Sequence, residues 1–226
     1  MANRIHPTAI LQGDIQLGDD NEIGPYSVLY GPLTLGHRNW IGPHVTIGTP
    51  GQDTRNPHYD SSQSPIAIGN DCIIREYTAI QKPCYGDVTK LGDRVFLMQS
   101  VHVPHDAVLD DDVVITPMVV MGGIVRVLRG ANLAVGSSLH QYSVVGHYSI
   151  VAMGAAVTKN VKPFARYIPG KPLSVNEYAI KKFGFADVAA EIAAYIERGE
   201  RPTAPRLVAM IDEFEQACIK SGRPAY

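Results

Sequence analysis

A strict period of six residues runs through most of this chain. Stepping in sixes from Ile5 meets Leu11, Leu17, Ile23, Leu29, Leu35, Ile41 and Ile47. Ile68, Ile74 and Ile80 form a second run. A third passes from Leu91 through Leu97, Val103, Leu109, Ile115, Met121, Val127, Leu133, Leu139, Val145 and Val151 to Val157 without a miss. In that third run the residue four places on is also small or branched, from Val95 and Val101 to Ser149 and Ala155, so each hexad has two inward positions. An amphipathic helix repeats roughly every 3.6 residues and a half-buried strand about every 2, and neither fits this pattern. A parallel β-helix does. Three hexads close one triangular coil of eighteen residues, and coils stacked at about 4.8 Å bury a ladder of aliphatic side chains.

The register breaks twice, and breaks in a solenoid are loops on its outside. Residues 48–67, rich in Gly, Pro, Asn and Ser, form one loop and residues 81–90 the other. Of the two, the first is expected to carry function. After Val157 the repeat stops, and the alanine-rich, glycine-terminated stretches that follow read as two or three helices capping the solenoid. The expected organisation is a β-helix over 1–162 with a helical region over 163–226.

A chain of 226 residues with 45% hydrophobic content can bury a continuous core. A net charge of −2 leaves no basic surplus to neutralise a phosphate backbone, which argues against nucleic acid as a partner. The opening "MANRIHPTAILQGDIQ" lacks a long apolar signal region and no apolar run reaches spanning length, so a soluble, cytoplasmic protein with no integral membrane segment is expected. Cys72, Cys84 and Cys218 suggest neither a disulfide framework nor a cysteine zinc site.

Residues eighteen apart lie above one another in such a solenoid, so His105, Gly123 and Gln141 form one stack, with His140 beside Gln141. That column suits acyl transfer. A neutral His105 can take a proton from an attacking hydroxyl or amine, Asp106 can fix its tautomer, and the N–H of Gly123 can face an oxyanion. His102, His105 and His140 together could instead bind zinc. His6, His37, His44, His58 and His147 read as solvated residues or contacts between coils. Arg126 and Arg129 are expected to face outward, where they could meet an acidic partner.

The motif of an aliphatic residue followed by glycine, in "LGDDNE", "IGPYSV", "LGHRNW", "IGPHVT" and "LGDRVF", resembles the hexapeptide repeat of left-handed β-helix acyltransferases. The glycine suits a tight corner. "IHPTAI", "IGTPGQD", "IIREYTAI", "LMQSVHVPHD", "SLHQYSVVG" and "VNEYAIKKFGF" together resemble the acyl-ACP:UDP-N-acetylglucosamine O-acyltransferases of lipid A synthesis, in order along essentially the whole chain. The resemblance implies a homotrimer with sites between subunits, acyl carrier protein and a nucleotide sugar as substrates, and no cofactor. It casts His105 as general base, Asp106 as its orienting group and Gly123 as oxyanion donor. Gln52, Asp53, Arg55, Met98, His102, His140, Gln141, Asn176 and Lys182 match substrate-contacting positions.

The sequence also departs from that family. Arg55 stands for a lysine and Ile124 for a sugar-binding histidine. "GKPLSVN" is shortened and lacks a histidine, Tyr178 replaces an acidic residue, and Lys182 with Phe183 replaces paired arginines. These changes fall on the acceptor side, where a lost polar contact alters specificity strongly. Met153 matches the position that limits acyl length, which implies a donor chain of roughly ten carbons or fewer. Two alternatives stay open from the residues: an acyl-CoA-dependent O- or N-acyltransferase acting on another sugar, and a zinc enzyme of the carbonic-anhydrase type, which shares the left-handed β-helix.

Overall fold

A computed structural model describes residues 2–53 and 62–226. Within them the hexads become short parallel strands on three faces of a prism. The first face runs from Arg4–Ile5 through Glu22–Ile23, Trp40–Ile41, Ile73–Ile74, Phe96–Leu97, Val114–Ile115 and Asn132–Leu133 to Ile150–Val151 and Ala165–Tyr167. The second holds Ile10–Gln12, Val28–Tyr30, Thr46–Thr49, Ala79–Gln81, His102–Val103, Val120–Met121, Ser138–Leu139 and Ala156–Val157. The third runs from Ile15–Leu17 to Val144–Val145. Pairing is residue on residue, as in Leu97 on Ile115 and Ile115 on Leu133. Past the first coil, where Ile5 is exposed at the open end and Leu11 and Leu17 are half-buried, the aliphatic ladder read from the sequence is the core, with Ile41, Ile74, Leu97, Ile115, Leu133 and Val151 all fully buried. Parallel pairing continues past Val157 to Tyr167, which pairs with Val151. Ser174–Val175 then adds one antiparallel strand.

The glycines of the repeat serve a different purpose from the one expected. Positive φ falls two residues later, on Asp20, Tyr26, Arg38, His44 and Arg94 in the five quoted motifs, at 55° to 62°. The glycines themselves lie where stacked coils come closest: a Cβ on Gly18 or Gly36 would stand 2.6 Å from a carbonyl oxygen of the next coil. Close approach, not left-handed backbone, excludes a side chain there.

Two buried asparagines tie the early coils together. Asn21 Oδ1 accepts from Asn39 N–H at 2.9 Å, and Asn39 Oδ1 accepts from Cys72 N–H at 2.8 Å. These bonds satisfy backbone groups that the corners leave without strand partners.

Beyond the solenoid come α1 (Glu177–Lys182), a single 3₁₀ turn, α2 (Ala189–Arg198) and α3 (Pro205–Ser221). Phe164, Phe185, Ile192, Leu207 and Ile211 join the helices to the same core. α3 lies along the third face near Val144–Val145. It buries His147, which is 4% exposed with Nε2 3.4 Å from Glu213, so of the two readings offered for this histidine the solvated one falls away. The two arginines expected to face a partner are also engaged within the chain, Arg126 partly by α3 and Arg129 by the solenoid itself. Arg126 faces Asp110 at 3.6 Å and Glu213 at 3.4 Å, and Arg129 binds Asp111 at 2.6 Å, so both are engaged by carboxylates of this chain.

Candidate active site

Both register breaks leave the solenoid from the same corner, between the second and third faces. Ile47, Ile80 and Val103 are stacked on consecutive coils. The first two coils open there into loops, while the third turns directly through Pro104, His105 and Asp106. Among the described residues, Gly51 of the first loop and Cys84, Tyr85 and Gly86 of the second therefore come to lie against His105 and Asp106.

His105 is 7% exposed and Asp106 8%. Asp106 stands at φ 60°, which turns its carboxylate back on the neighbouring imidazole. Nδ1 of His105 lies 2.7 Å from Oδ2 of Asp106. Three consecutive backbone N–H groups of the second loop grip that carboxylate: Cys84 at 3.0 Å, Tyr85 at 3.2 Å and Gly86 at 2.6 Å. Thr89 Oγ1 accepts from the backbone N–H of Asp106 at 3.0 Å. Burial alone would push the Asp106 carboxyl up, but the bond from His105 and the three N–H groups outweigh it and hold the group below the ordinary carboxylate range. An ionised carboxylate only accepts. The proton of His105 therefore sits on Nδ1, and Nε2 carries a free lone pair.

Gly123 closes the other side of the ring. A Cβ there would overlap Cε1 and Nε2 of His105 and stand 3.0 Å from Nδ1, so only glycine fits this position. Gly51 packs likewise against the Cβ of His105, where a side chain would come within 2.8 Å. The N–H of Gly123 donates to no group among the described residues. His105, Gly122, Gly123, His102, Gln141, Gln52 and Asp53 line an open cleft of about 370 Å³, completed by Gln81, Pro104 and Met121. Burial, with His105 close by, pushes the His102 imidazole down, which favours its neutral form beside the base.

Not every predicted site residue reaches this cleft. Met98 and Met153 sit on a different corner, between the first and second faces, and Met153 is 72% exposed. Asn176 caps α1: its Oδ1 accepts from Ala179 N–H, while its amide nitrogen donates to Tyr148 O at 2.7 Å. Lys182 ends α1, its ammonium 5.0 Å from the Phe183 ring. Arg55 lies outside the described residues. His140 is not part of the lining; it stands exposed at the rim of the cleft, beside the lining residue Gln141, and is held by Arg223 from the C-terminal segment. Among the described residues no three His, Cys, Asp or Glu side chains are grouped so as to hold a metal ion, so the His102, His105 and His140 trio has no geometric support as a zinc site.

The sequence reading missed Gly51, Cys84, Tyr85, Gly86 and Thr89. Its own register held the signal, since the insertion points stand directly above Val103. Nothing in the repeat could have announced Arg223.

Three stacked faces and a corner cleft with a buttressed histidine define a left-handed parallel β-helix of the hexapeptide-repeat class. No family model matches the chain. It is similar to the acyl-[acyl-carrier-protein]–UDP-N-acetylglucosamine O-acyltransferase of a Synechocystis species, 29% identical over 183 residues that make up 80% of this chain and 63% of that protein. The protein of the same name from Alkalilimnicola ehrlichii is 31% identical over 139 residues, 59% of this chain and 54% of its own length. The chain thus spans between about half and two thirds of these curated relatives. Among solved structures, LpxA from Bacteroides fragilis superposes with a TM-score of 0.77 at 22% identity, covering 99% of this chain and 98% of that one. UDP-N-acetylglucosamine acyltransferase from Campylobacter jejuni gives 0.75 at 21%, covering 96% and 90%. At such identities the structures speak for the fold, and the resemblance read from the motifs holds at the level of sequence.

Proposed function

We propose that this protein is an acyltransferase that moves a (3-hydroxy)acyl group from acyl carrier protein to a hydroxyl of UDP-N-acetylglucosamine or a related nucleotide sugar. The observation that carries this reading is the imidazole of His105, clamped between the Asp106 carboxylate at 2.7 Å and the bare backbone of Gly123. The acceptor hydroxyl attacks the thioester carbonyl carbon while Nε2 of His105 takes its proton. The Asp106 carboxylate, 2.7 Å away, stabilises the imidazolium that forms. The carbonyl oxygen becomes an oxyanion within reach of the free Gly123 N–H. Collapse breaks the carbon–sulfur bond, and the departing thiolate takes the proton back from His105. The balance closes with an ester and a thiol, with no redox partner or cofactor.

A homotrimer follows naturally. Met98, Met153 and Lys182 lie away from the His105 corner of their own chain, and a neighbouring copy would bring them to it, with Asn176 acting indirectly by capping the helix that carries Lys182. With Met153 across the far end of the acyl groove, the donor chain is about ten carbons or fewer. Ile124, beside the cleft where the family carries a sugar-binding histidine, favours a related nucleotide sugar over an unchanged acceptor pocket. The same position is what an acyl-CoA-dependent enzyme with a different sugar acceptor would explain, so donor and acceptor are tested together. No helix among the described residues is long and apolar enough to cross a membrane, and the substrates place the reaction in the cytoplasm.

The test is thioester release from 3-hydroxydecanoyl-ACP and 3-hydroxydecanoyl-CoA, with and without UDP-N-acetylglucosamine. Acceptor-dependent release that vanishes in His105→Ala supports the reading. Full activity of a folded His105→Ala protein would overturn it.

A further inference from the structure

The chain goes on past α3 and returns to the rim of the cleft. Gly222, in the left-handed region at φ 65°, ends the helix and turns the last residues back along the solenoid. They add a short parallel strip beside residues 158–160. Asn160 N–H donates to Pro224 O at 2.9 Å and Tyr226 N–H to Asn160 O at 2.9 Å. Asn160 is fully buried; its Oδ1 accepts from Val144 N–H at 2.8 Å and its amide nitrogen donates to Arg223 O at 2.8 Å. Tyr226 stacks on Tyr167 with ring centres 4.4 Å apart, and its hydroxyl accepts from Thr158 N–H at 3.0 Å. The strip is a built element, latched at both ends.

It delivers one guanidinium to the cleft corner. Arg223 Nε donates to Gln141 O at 2.6 Å, Nη1 donates to Thr158 O at 2.9 Å, and Nη2 donates to Nδ1 of His140. A guanidinium has donors only. Nδ1 of His140 is therefore an acceptor, and its ring proton sits on Nε2. The longer contact of the same Nδ1 with Gln141 O, at 3.3 Å, cannot also be a hydrogen bond from that nitrogen. The carbonyl belongs to Arg223. Gln141 lines the cleft and packs on Gly122, where an added Cβ would meet the Gln141 Cα at 2.9 Å.

We infer that Arg223 is a positioning residue of the cleft: it fixes His140 as an Nε2–H donor toward an oxygen of the acceptor substrate and pins the Gln141 backbone that forms the cleft wall. This rests on the reading of the cleft as an acyl-transfer site. The two pairs of residues on the corner then have opposite polarity. Asp106 leaves His105 an open lone pair for taking a proton, and Arg223 leaves His140 a proton for holding the acceptor.

Two readouts separate this inference from the functional reading. In steady-state acyl transfer, Arg223→Met raises KM for the acceptor about tenfold, the factor carried by one charge-assisted hydrogen bond, while kcat stays within about twofold, and Arg223→Lys recovers part of the loss. In the protein labelled with ¹⁵N histidine, the His140 ring carries its proton on Nε2 in the native chain and becomes a mixture of tautomers in Arg223→Met. Should the native chain transfer no acyl group, the functional reading falls, and the nitrogen spectra still decide the role of Arg223. Native KM and an unaltered His140 tautomer in a folded Arg223→Met protein would overturn the inference; if that variant does not fold, the same two measurements on Arg223→Lys decide it.

Discussion

Replacing Gly123 by alanine adds one methyl group at the point where the chain allows none. The new Cβ would coincide with the edge of the His105 ring at Cε1 and Nε2. Non-bonded carbons settle at about 3.5–4.0 Å, so the imidazole must withdraw by roughly 1 Å. It cannot move as a unit with Asp106, whose carboxylate is tethered by three backbone N–H groups of the second loop. The 2.7 Å bond between the two side chains is what stretches. A displacement of about 1 Å in a reacting group costs on the order of 100-fold in rate, and a mispositioned general base forfeits up to about 10⁴. Stability responds less. Losing the charged hydrogen bond costs about 1.5–3 kcal/mol, partly offset by about 0.4–1 kcal/mol of unfolded-state entropy that alanine removes. Initial rates of acceptor-dependent thioester release, with a thermal melt on the same samples, check the claim: kcat falls by about 100-fold or more while the melting curve moves modestly. A Gly123→Ala protein with native kcat would refute the account of both the base and the oxyanion donor.

Asp106→Asn lowers kcat by about 10²–10⁴, because an amide turns an N–H toward backbone N–H groups that require an acceptor and frees the His105 tautomer. The folded Asp106 carboxyl is held below its ordinary value, so its contribution to stability is present above about pH 4 and is lost as pH falls through the folded pKa; acid melts of Asp106→Asn lack this loss. His147 shows the opposite chemistry with the same sign. Burial pushes it down to about 4, against the opposing pull of Glu213 and with the push of Arg129 and Arg126. The unfolded chain thus binds the extra proton between about pH 6.5 and 4, and stability declines as pH falls through that window. Thermal melts from pH 7 to 4 show a flatter slope for His147→Gln. Met153→Gly shifts the preferred donor beyond ten carbons in a chain-length series, and an unchanged profile would remove Met153 from the groove. Ile124 is a β-branched residue at φ 61°, so Ile124→Asn raises stability by about 1 kcal/mol in denaturant titration.

Ile115, Leu133 and Val151 could be placed in the core before any coordinates, because a six-residue period leaves only one stacking solution. His105, Gly123 and Gln141 could be stacked for the same reason. What the repeat could not supply was direction within a corner. Met153 and Asn176 entered the account through the family resemblance, not the repeat, and within one chain the corner of the prism and a helix cap separate them from His105. The repeat left the grip on Asp106 unseen, because three N–H groups of "CYG" act through backbone geometry that carries no side-chain signature. Arg126 read as facing outward for want of any way to place α3, whose Glu213 reaches it only through tertiary packing, while Arg129 is taken by Asp111 eighteen residues earlier on the same stack. Arg223 lies 82 residues from the carbonyl it holds, at Gln141.

The two loops leave one corner and rejoin the stack without disturbing it: Leu35 pairs with Ile68, and Ile68 with Leu91, as if nothing had been inserted between them. The length of an insertion is therefore uncoupled from the spacing of the chemistry, which the coil rise alone sets. Such a chain can lengthen or shorten the inserted segments while the distance from His105 to Gly123 stays constant. The backbone at Gly51 and at Cys84, Tyr85 and Gly86 packs on His105 or holds Asp106, and the single edge can change in sequence and length around those fixed points.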